Sequence, residues 1–248
     1  MRFRPQPRET DFTPIDGVVH SIFPTFFFKG KMNLNHDEVA NDVRTIVNII
    51  KEKDNYSRSN YTSYFDYETQ FKFLEGNKWY ESLTTQLKDT YVKLLHSAIG
   101  IEVSKWSRHD IHCFAWVNQY LEGNQHTVHH HKNSFISGTY YVKCDEKSSP
   151  IRFINPNYNQ EFYYANHDEE IYVEEEEGLG FAGSGSHARH EMQFRPKTGD
   201  VLFWPSNLLH YVSPQGEGER ISISFNLCHP RFFSLENNES NLSYEFIK

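Results

Sequence analysis

The fold is decided by the stretch ERISISFNL, residues 219–227, in which polar and apolar side chains alternate from residue 220 onward. Successive side chains of a β-strand point to opposite faces, so this stretch predicts a strand with one apolar and one polar face. The apolar face carries Ile221, Ile223, Phe225 and Leu227, and the polar face carries Arg220, Ser222, Ser224 and Asn226. In an open sheet the polar face would meet solvent. Inside a small barrel it would place the Arg220 guanidinium in a cavity, where it can bind a carboxylate through two parallel hydrogen bonds.

Similar short strands, divided by Gly, Pro and Asn, fill the chain after Gly100 and favour an antiparallel β-sandwich or barrel. The predicted strands are 108–120, 135–144, 151–155, 170–173, 191–195, 201–204 and 220–228. The segment 157–190 is the least regular, with an acidic run over 168–177 followed by four glycines. We interpret it as a long loop, which can close over a barrel mouth as a lid.

Helices are predicted only in the first part of the chain. Apolar residues recur with helical spacing over 36–54 and again over 78–99, and Asn35 and Asn77 stand at the N-cap positions. The segment 56–73 has no clear period, so we predict irregular structure there. The fold class is therefore α+β, mainly β, with N-terminal helices bracing one face of the β structure. We expect a single domain over 1–248, with helical support in 1–105, the β core in 106–230 and a C-terminal tail in 231–248.

Composition limits the classes of function. There are 25 Lys and Arg against 33 Asp and Glu, a net charge of −8, which argues against nucleic acid as a partner. No apolar run is long enough to cross a membrane, and residues 1–12 do not resemble a secretory leader, so we expect a cytoplasmic location without membrane association. The three cysteines Cys113, Cys144 and Cys228 are widely spaced and are expected to be reduced. The sequence carries no signal for an oligomeric state.

Histidines supply the candidate metal ligands. His129 and His131 are two residues apart, so on a strand they would share a face and could chelate one ion. The stretch GDVLFWPSNLLH, residues 199–210, is an apolar strand that ends in a turn containing Pro205 and then offers His210 as a third imidazole. Three imidazoles with open positions suit Fe, Zn, Cu or Ni. Arg220 follows His210 by the length of one hairpin, and we expect the two residues on neighbouring strands, an arrangement that suits an oxoacid bound to the metal.

At this point the sequence resembles the Fe(II)/2-oxoglutarate-dependent oxygenases of the double-stranded β-helix (jelly-roll) fold. More narrowly, His-x-His-x-x-Ser-x-x-Ser-Gly-x-Tyr-Tyr over 129–141, the 199–210 stretch and the 219–226 strand resemble the oxygenases common in marine bacteria and their phages, in the prolyl-hydroxylase-like branch. The segment IFPT at 22–25 is also similar. The resemblance covers about 22–226 and rests on specific motifs only in the β half.

The resemblance implies Fe(II) and 2-oxoglutarate as cofactor and cosubstrate, and hydroxylation of a substrate coupled to conversion of 2-oxoglutarate to succinate and CO2. His129, His131 and His210 take the metal-ligand positions. Arg220, Tyr120, Tyr141 and Ser222 take positions in the cosubstrate pocket. One departure matters: the family uses two His and one carboxylate, and His131 stands where the carboxylate is expected. Two arrangements stay open, either three His ligands or His129 and His210 alone with His131 beside them.

Two other functions are compatible with the pattern. A cupin that works without 2-oxoglutarate fits Gly123, the His pair and His210, but it lacks the expected acidic residue over 133–136. A binding barrel with structural Zn is the other, although such sites usually have four ligands and often use Cys. For the oxygenase, the partner would be a small molecule or a protein side chain as substrate.

Overall fold

The computed structural model describes residues 25–53, 60–97, 111–156, 172–176, 179–182 and 191–228. The IFPT segment except Thr25, the end of the second predicted helix, most of the predicted 157–190 lid and the C-terminal tail lie outside them. Among the described residues, no helix combines the length and apolar character that a bilayer crossing needs.

Twelve described strands form two six-stranded sheets. They are β1 (Phe28–Lys31), β2 (Tyr61–Thr62), β3 (His112–Tyr120), β4 (His126–His129), β5 (Ile136–Lys143), β6 (Ile151–Ile154), β7 (Tyr172–Glu176), β8 (Leu179–Ala182), β9 (Glu191–Phe194), β10 (Asp200–Pro205), β11 (His210–Val212) and β12 (Arg220–Cys228). The first sheet has the order β1-β10-β5-β12-β3-β2 and the second has β4-β11-β6-β9-β8-β7. Among the eight strands β3 to β6 and β9 to β12, successive strands lie in opposite sheets except for β6 and β9, which pair within the second sheet. This is the winding of a double-stranded β-helix. The predicted fold class is confirmed.

Helices cover the outer face of the first sheet. They are α1 (His36–Glu52), α2 (Tyr67–Leu74) and α3 (Lys78–Ser97), with a short 3-10 helix at Ser63–Phe65. The Asn35 side chain accepts the Glu38 backbone N–H at 3.4 Å, and Asn77 accepts the Trp79 N–H at 3.0 Å, so both predicted caps are present. The apolar face of β12 packs into the same core as these helices, including Ile221, Ile223, Phe225 and Leu227. Its polar face therefore points into the space between the two sheets.

Two segments are more regular than the sequence predicts. The segment 56–73 contains the 3-10 helix and α2, and its helical period is hidden because two of the buried positions in α2, Thr69 and Gln70, are polar. Within 157–190, β7 and β8 pair as an antiparallel hairpin that continues onto β9. The predicted strand 170–173 overlaps the start of β7, whereas β8 lies in the part predicted as a loop, because glycine residues are depleted in strands.

The cysteines are free, as predicted. Cys113 and Cys228 lie buried in β3 and β12, and Cys144 directly follows β5.

Candidate active site

Three histidines converge between the two sheets. His210 begins β11 and is the direct register partner of His129, the last residue of β4. One ring nitrogen from each of His129, His131 and His210 lies within 4.8 Å of the others. His131 is two residues past the end of β4, and its backbone N–H donates to the Ser206 carbonyl at 2.9 Å. The predicted convergence is therefore present, but strand alternation does not produce it, because a contact with the turn after β10 sets the position of His131.

Backbone hydrogen bonds fix the tautomers of two of the rings. The Nδ1 atom of His129 lies 2.7 Å from the Thr127 carbonyl, and Nδ1 of His210 lies 2.8 Å from the Leu208 carbonyl. A carbonyl can only accept, so both Nδ1 atoms carry the proton and both Nε2 atoms carry a free lone pair. This second hydrogen bond is how proteins usually orient a metal-binding imidazole.

Burial keeps the three rings neutral. It lowers the pKa of His129, lowers the pKa of His131 to about 3, and holds the pKa of His210 well below its ordinary value. Repulsion among the rings lowers the pKa values of His131 and His210 further. At pH 7 all three imidazoles are thus in the form that binds metal.

The distances fit a metal ion. The Nε2 atoms of His131 and His210 are 3.3 Å apart, while two nitrogens bound at right angles to an ion at ~2.1 Å would lie about 3 Å apart. Since the Nε2 atom of His210 carries a lone pair, a cation placed among the three rings would receive it. Among the described residues, no carboxylate joins the three histidines in this cluster, so within this set a bound divalent ion would keep its full charge for an anionic ligand.

The guanidinium of Arg220 is buried in the same interior, with 1% of the residue exposed. It lies over the ring of Tyr120 at 4.7 Å and over that of Tyr141 at 5.1 Å. Arg220 pairs with Tyr120 across β12 and β3, and Ser222 pairs with Tyr141 across β12 and β5, so the four predicted cosubstrate residues meet on adjacent strands. Burial raises the pKa of both tyrosines, so their hydroxyls stay protonated donors.

Several donors in this pocket have no partner in the described part of the chain. They are Nε and Nη1 of Arg220 and the hydroxyl of Tyr141. A buried cation without a carboxylate costs several kcal/mol of desolvation free energy, so an arrangement of this kind is suited to an anion that arrives from outside. The oxygens of a bound carboxylate are acceptors of the kind that these donors lack.

One predicted relation is wrong. Arg220 and His210 are not on neighbouring strands, because β11 belongs to the second sheet and β12 to the first. The nine residues between them carry the chain from one sheet to the other, and the two side chains approach the interior from opposite walls.

The serines of the 129–141 motif form a hydrogen-bonded group beside the cluster. The hydroxyls of Ser134 and Ser137 contact that of Ser206 at 2.5 and 2.8 Å, and Ser137 donates to the Asn226 side chain at 2.7 Å. These bonds join β5, β12 and the turn after β10. They hold the Ser206 carbonyl that positions His131.

Sequence reasoning missed His126 and Trp204. The His126 ring stacks on that of His129 at 4.0 Å, and burial, followed by repulsion from His129 and Arg220, lowers its pKa to about 4. The Trp204 ring lies 5.0 Å from that of His210, and its Nε1 has no partner within the described residues. The available signal was position in the sequence, since His126 is close to the histidines at 129–131 and Trp204 lies within the 199–210 motif.

Comparison with known proteins gives one family match. Residues 114–226, just under half of the chain, match the family model described as "Putative 2OG-Fe(II) oxygenase". No curated protein matches the chain.

Solved structures that resemble the chain include a prolyl-4-hydroxylase from Pseudomonas putida, at 13% identity and TM-score 0.45, with 81% of this chain and 86% of that one covered. A viral collagen prolyl hydroxylase from Paramecium Bursaria Chlorella virus-1, in complex with 2OG, is 14% identical at TM-score 0.42, with 81% and 94% covered. The epimerase SnoN, in complex with Fe3+, alpha ketoglutarate and nogalamycin RO, is 10% identical at TM-score 0.47, with 81% and 78% covered.

The matched region runs from β3 to β12 and contains the three histidines, Arg220 and all eight strands of the double-stranded β-helix. This region of the chain is therefore similar to the family of 2OG-Fe(II) oxygenases, whose name pairs iron in the Fe(II) state with 2-oxoglutarate.

Proposed function

We propose that this protein is an Fe(II)- and 2-oxoglutarate-dependent dioxygenase that hydroxylates a small molecule or a protein side chain and converts 2-oxoglutarate to succinate and CO2. The observation that carries the proposal is the pairing of a neutral three-histidine cluster with a buried guanidinium, two of whose nitrogens have no partner among the described residues. The histidine cluster suits a cation and the guanidinium suits an anion, and iron with a dicarboxylate supplies both.

In this proposal the ligands of Fe(II) are His129, His131 and His210. The support is the lone pair that each of the His129 and His210 Nε2 atoms directs inward, together with the 3.3 Å separation of the His131 and His210 Nε2 atoms. Three neutral ligands leave the bound ion with two positive charges. That charge favours a dianionic cosubstrate, which offsets the missing carboxylate ligand.

Arg220 would bind the distal carboxylate of 2-oxoglutarate, aided by Tyr141, Tyr120 and Ser222. Nε and Nη1 of Arg220 are donors on different edges of the guanidinium that lack partners within the described residues, and each can donate to an oxygen of a bound carboxylate group. The Tyr141 hydroxyl adds a donor, and the two aromatic rings stabilise the guanidinium in the absence of the cosubstrate.

Bound iron supplies dioxygen activation when it holds the 2-oxo acid. The remaining work belongs to the protein. Arg220 orients the cosubstrate from the wall opposite the histidines, and the apolar residues Phe153, Leu202 and Trp204 keep water out of the interior between the sheets. The backbone carbonyls of Thr127 and Leu208 keep the His129 and His210 rings in the tautomer that binds metal.

A cupin that works without 2-oxoglutarate would have no use for an unpaired guanidinium inside the barrel. The direct experiment is to incubate the Fe(II)-loaded protein with 2-oxoglutarate and oxygen and to measure succinate, first alone and then with candidate substrates. Succinate formation that rises with a substrate supports the proposal. Complete absence of succinate from iron-loaded protein would contradict it. The cytoplasmic location stays a prediction.

A further inference from the structure

The polar face of β12 continues past the residues assigned to the cosubstrate. Beyond Arg220 and Ser222 it carries Ser224 and Asn226, and exposure rises along it, since the first two residues are buried and the last two are half-buried. Phe114, the register partner of Asn226 on β3, is also half-buried, whereas the inward residues further along β3 are buried. The interior between the sheets therefore opens at the end where Asn226 lies, and we call this end the mouth.

Asn226 lies on the mouth side of the candidate metal site. The ring of His131 is 5.6 Å from that of Trp116, and Trp116 pairs with Ser224 across β3 and β12. A cosubstrate that reaches from Arg220 to a metal at the histidines ends at this level. Asn226 is the next inward position of β12, so a group that it binds belongs to a molecule other than the cosubstrate.

Hydrogen bonds tie the Asn226 amide to the metal site. Its Oδ1 accepts from the Ser137 hydroxyl at 2.7 Å, and that hydroxyl is 2.8 Å from the hydroxyl of Ser206. The backbone carbonyl of the same Ser206 accepts the His131 N–H. Asn226 and His131 are thus both held to Ser206, so a group bound at Asn226 would have a fixed position relative to the metal. A preorganised side chain also loses little conformational entropy on binding.

The amide nitrogen of Asn226 is left available for a ligand. An asparagine side chain offers two N–H donors and an oxygen with two lone pairs. Ser137 uses one lone pair, and Nδ2 has no partner within the described residues. Asn226 can therefore donate to a carbonyl oxygen and accept one further N–H. An amide group of a ligand complements both.

The inner face around Asn226 carries no charged side chain among its register partners. These are Ser137 on β5, Trp204 beyond it on β10, and Phe114 on β3. A charged group of a ligand would lose hydration here without gaining a counter-ion. A metal at the histidines would in addition repel a cation. An uncharged polar group is therefore the best match.

We propose that Asn226 binds the substrate of the oxygenase, and that this substrate presents an uncharged amide group to Asn226 and an apolar part to Phe114. The identification of the ligand as the substrate rests on the proposed function.

The test uses three probes that share one ring and differ in the polar group: benzamide, toluene and benzylammonium. Binding to the full-length, metal-free protein is followed by ligand-observed NMR, so this arm does not depend on turnover. Benzamide should bind several-fold more tightly than the other two. Asn226→Ala should weaken benzamide binding about two- to tenfold, the effect of one or two neutral hydrogen bonds.

Asn226→Asp gives a result that a merely structural role does not predict. The carboxylate still accepts from Ser137, so the fold should be kept, but it has no donor and carries a negative charge. The preference should therefore reverse, with benzylammonium bound more tightly than benzamide. Asn41→Asp is the matched control, because it makes the same chemical change at an exposed position on α1 and should leave the preference unchanged.

A second arm separates substrate from cosubstrate. In anaerobic titration of Fe(II)-loaded protein, Asn226→Ala should bind 2-oxoglutarate within about twofold of wild type. A larger loss would assign Asn226 to the cosubstrate and overturn the proposal, as would equal binding of benzamide by wild type and Asn226→Ala. Asn226-dependent benzamide binding with no succinate under any condition would retain the amide site and remove the proposed oxygenase function instead.

Discussion

Arg220 gives the sharpest prediction, because its buried charge should have opposite effects with and without cosubstrate. We consider Arg220→Met, which keeps an apolar side chain of similar length and removes the guanidinium. Without 2-oxoglutarate, the wild-type guanidinium has two unpartnered nitrogens within the described residues. Replacing a buried charge by an apolar group is often neutral or stabilising by about 1 to 4 kcal/mol. Metal-free Arg220→Met should therefore unfold at the same temperature as wild type or at a higher one.

In the presence of 2-oxoglutarate, the Arg220→Met substitution should be unfavourable, because the cosubstrate loses its charged partner. Charge-assisted hydrogen bonds contribute roughly 1.5 to 3 kcal/mol net, so their loss should weaken cosubstrate binding about 10- to 150-fold. Arg220→Lys should restore only part of the affinity, because an ammonium group cannot reproduce the planar fork. The assay is isothermal titration of 2-oxoglutarate into anaerobic Fe(II)-loaded protein, with thermal unfolding of each variant in its presence and absence.

A second arginine serves as the control. Arg152 has a carboxylate partner, with Nη1 2.5 Å from Glu191, and lies on β6 in the other sheet. Arg152→Met should lower stability with or without 2-oxoglutarate and leave the affinity for it unchanged. Equal affinity of wild type and Arg220→Met for 2-oxoglutarate would refute the reasoning, as would a large loss of stability in the metal-free Arg220→Met variant.

Three further changes have defined outcomes. In a metal assay, His129→Ala should abolish stoichiometric iron binding, and His131→Asp should retain it if position 131 is a ligand. His130 is an exposed neighbour, so His130→Ala should leave iron binding unchanged. Full iron binding by His129→Ala would contradict the assignment. Glu219 accepts from Arg44, Lys143 and Gln119, and these bonds outweigh burial and lower its pKa from 4.5 to about 2. The Glu219 carboxylate contributes about 1 to 2 kcal/mol to the free energy of unfolding after solvent screening. This contribution is therefore present at pH 7 and is lost as the pH falls from 4.5 to about 2. In denaturant unfolding, Glu219→Gln should be less stable than wild type at pH 7, and the difference should shrink towards pH 3. Gly138→Ala should lower the free energy of unfolding by about 3 kcal/mol or more, because the added Cβ would lie 2.2 Å from the Leu202 carbonyl oxygen. An unchanged melting temperature by circular dichroism would show that β5 and β10 can separate there.

The strands with strict alternation and the helices with caps were predictable from sequence. The span of β12 and the start of α1 agree with the prediction because both rest on local signals, a period of two and an N-cap. The start of β7 falls within the predicted strand 170–173, but β8 was not predictable, since its pairing with β9 is a tertiary contact that glycine residues do not signal.

At the site, the residue types were predictable and their arrangement was not. The spacing of the motifs identified all three histidines and Arg220 as candidate site residues. The separation of His210 and Arg220 onto opposite sheets depends on how the chain crosses between the sheets, which the nine residues between them do not encode. The position of His131 likewise depends on a backbone contact with Ser206, 75 residues along the chain.

The central claim is that one interior holds both Fe(II) at the histidines and 2-oxoglutarate at Arg220. The most direct measurement is an anaerobic absorbance titration of the protein with Fe(II) in the presence of 2-oxoglutarate. We predict a visible metal-to-ligand charge-transfer band that saturates at one iron per chain and is absent in His210→Ala. A wild-type protein that binds iron but shows no such band at saturating 2-oxoglutarate would contradict the account.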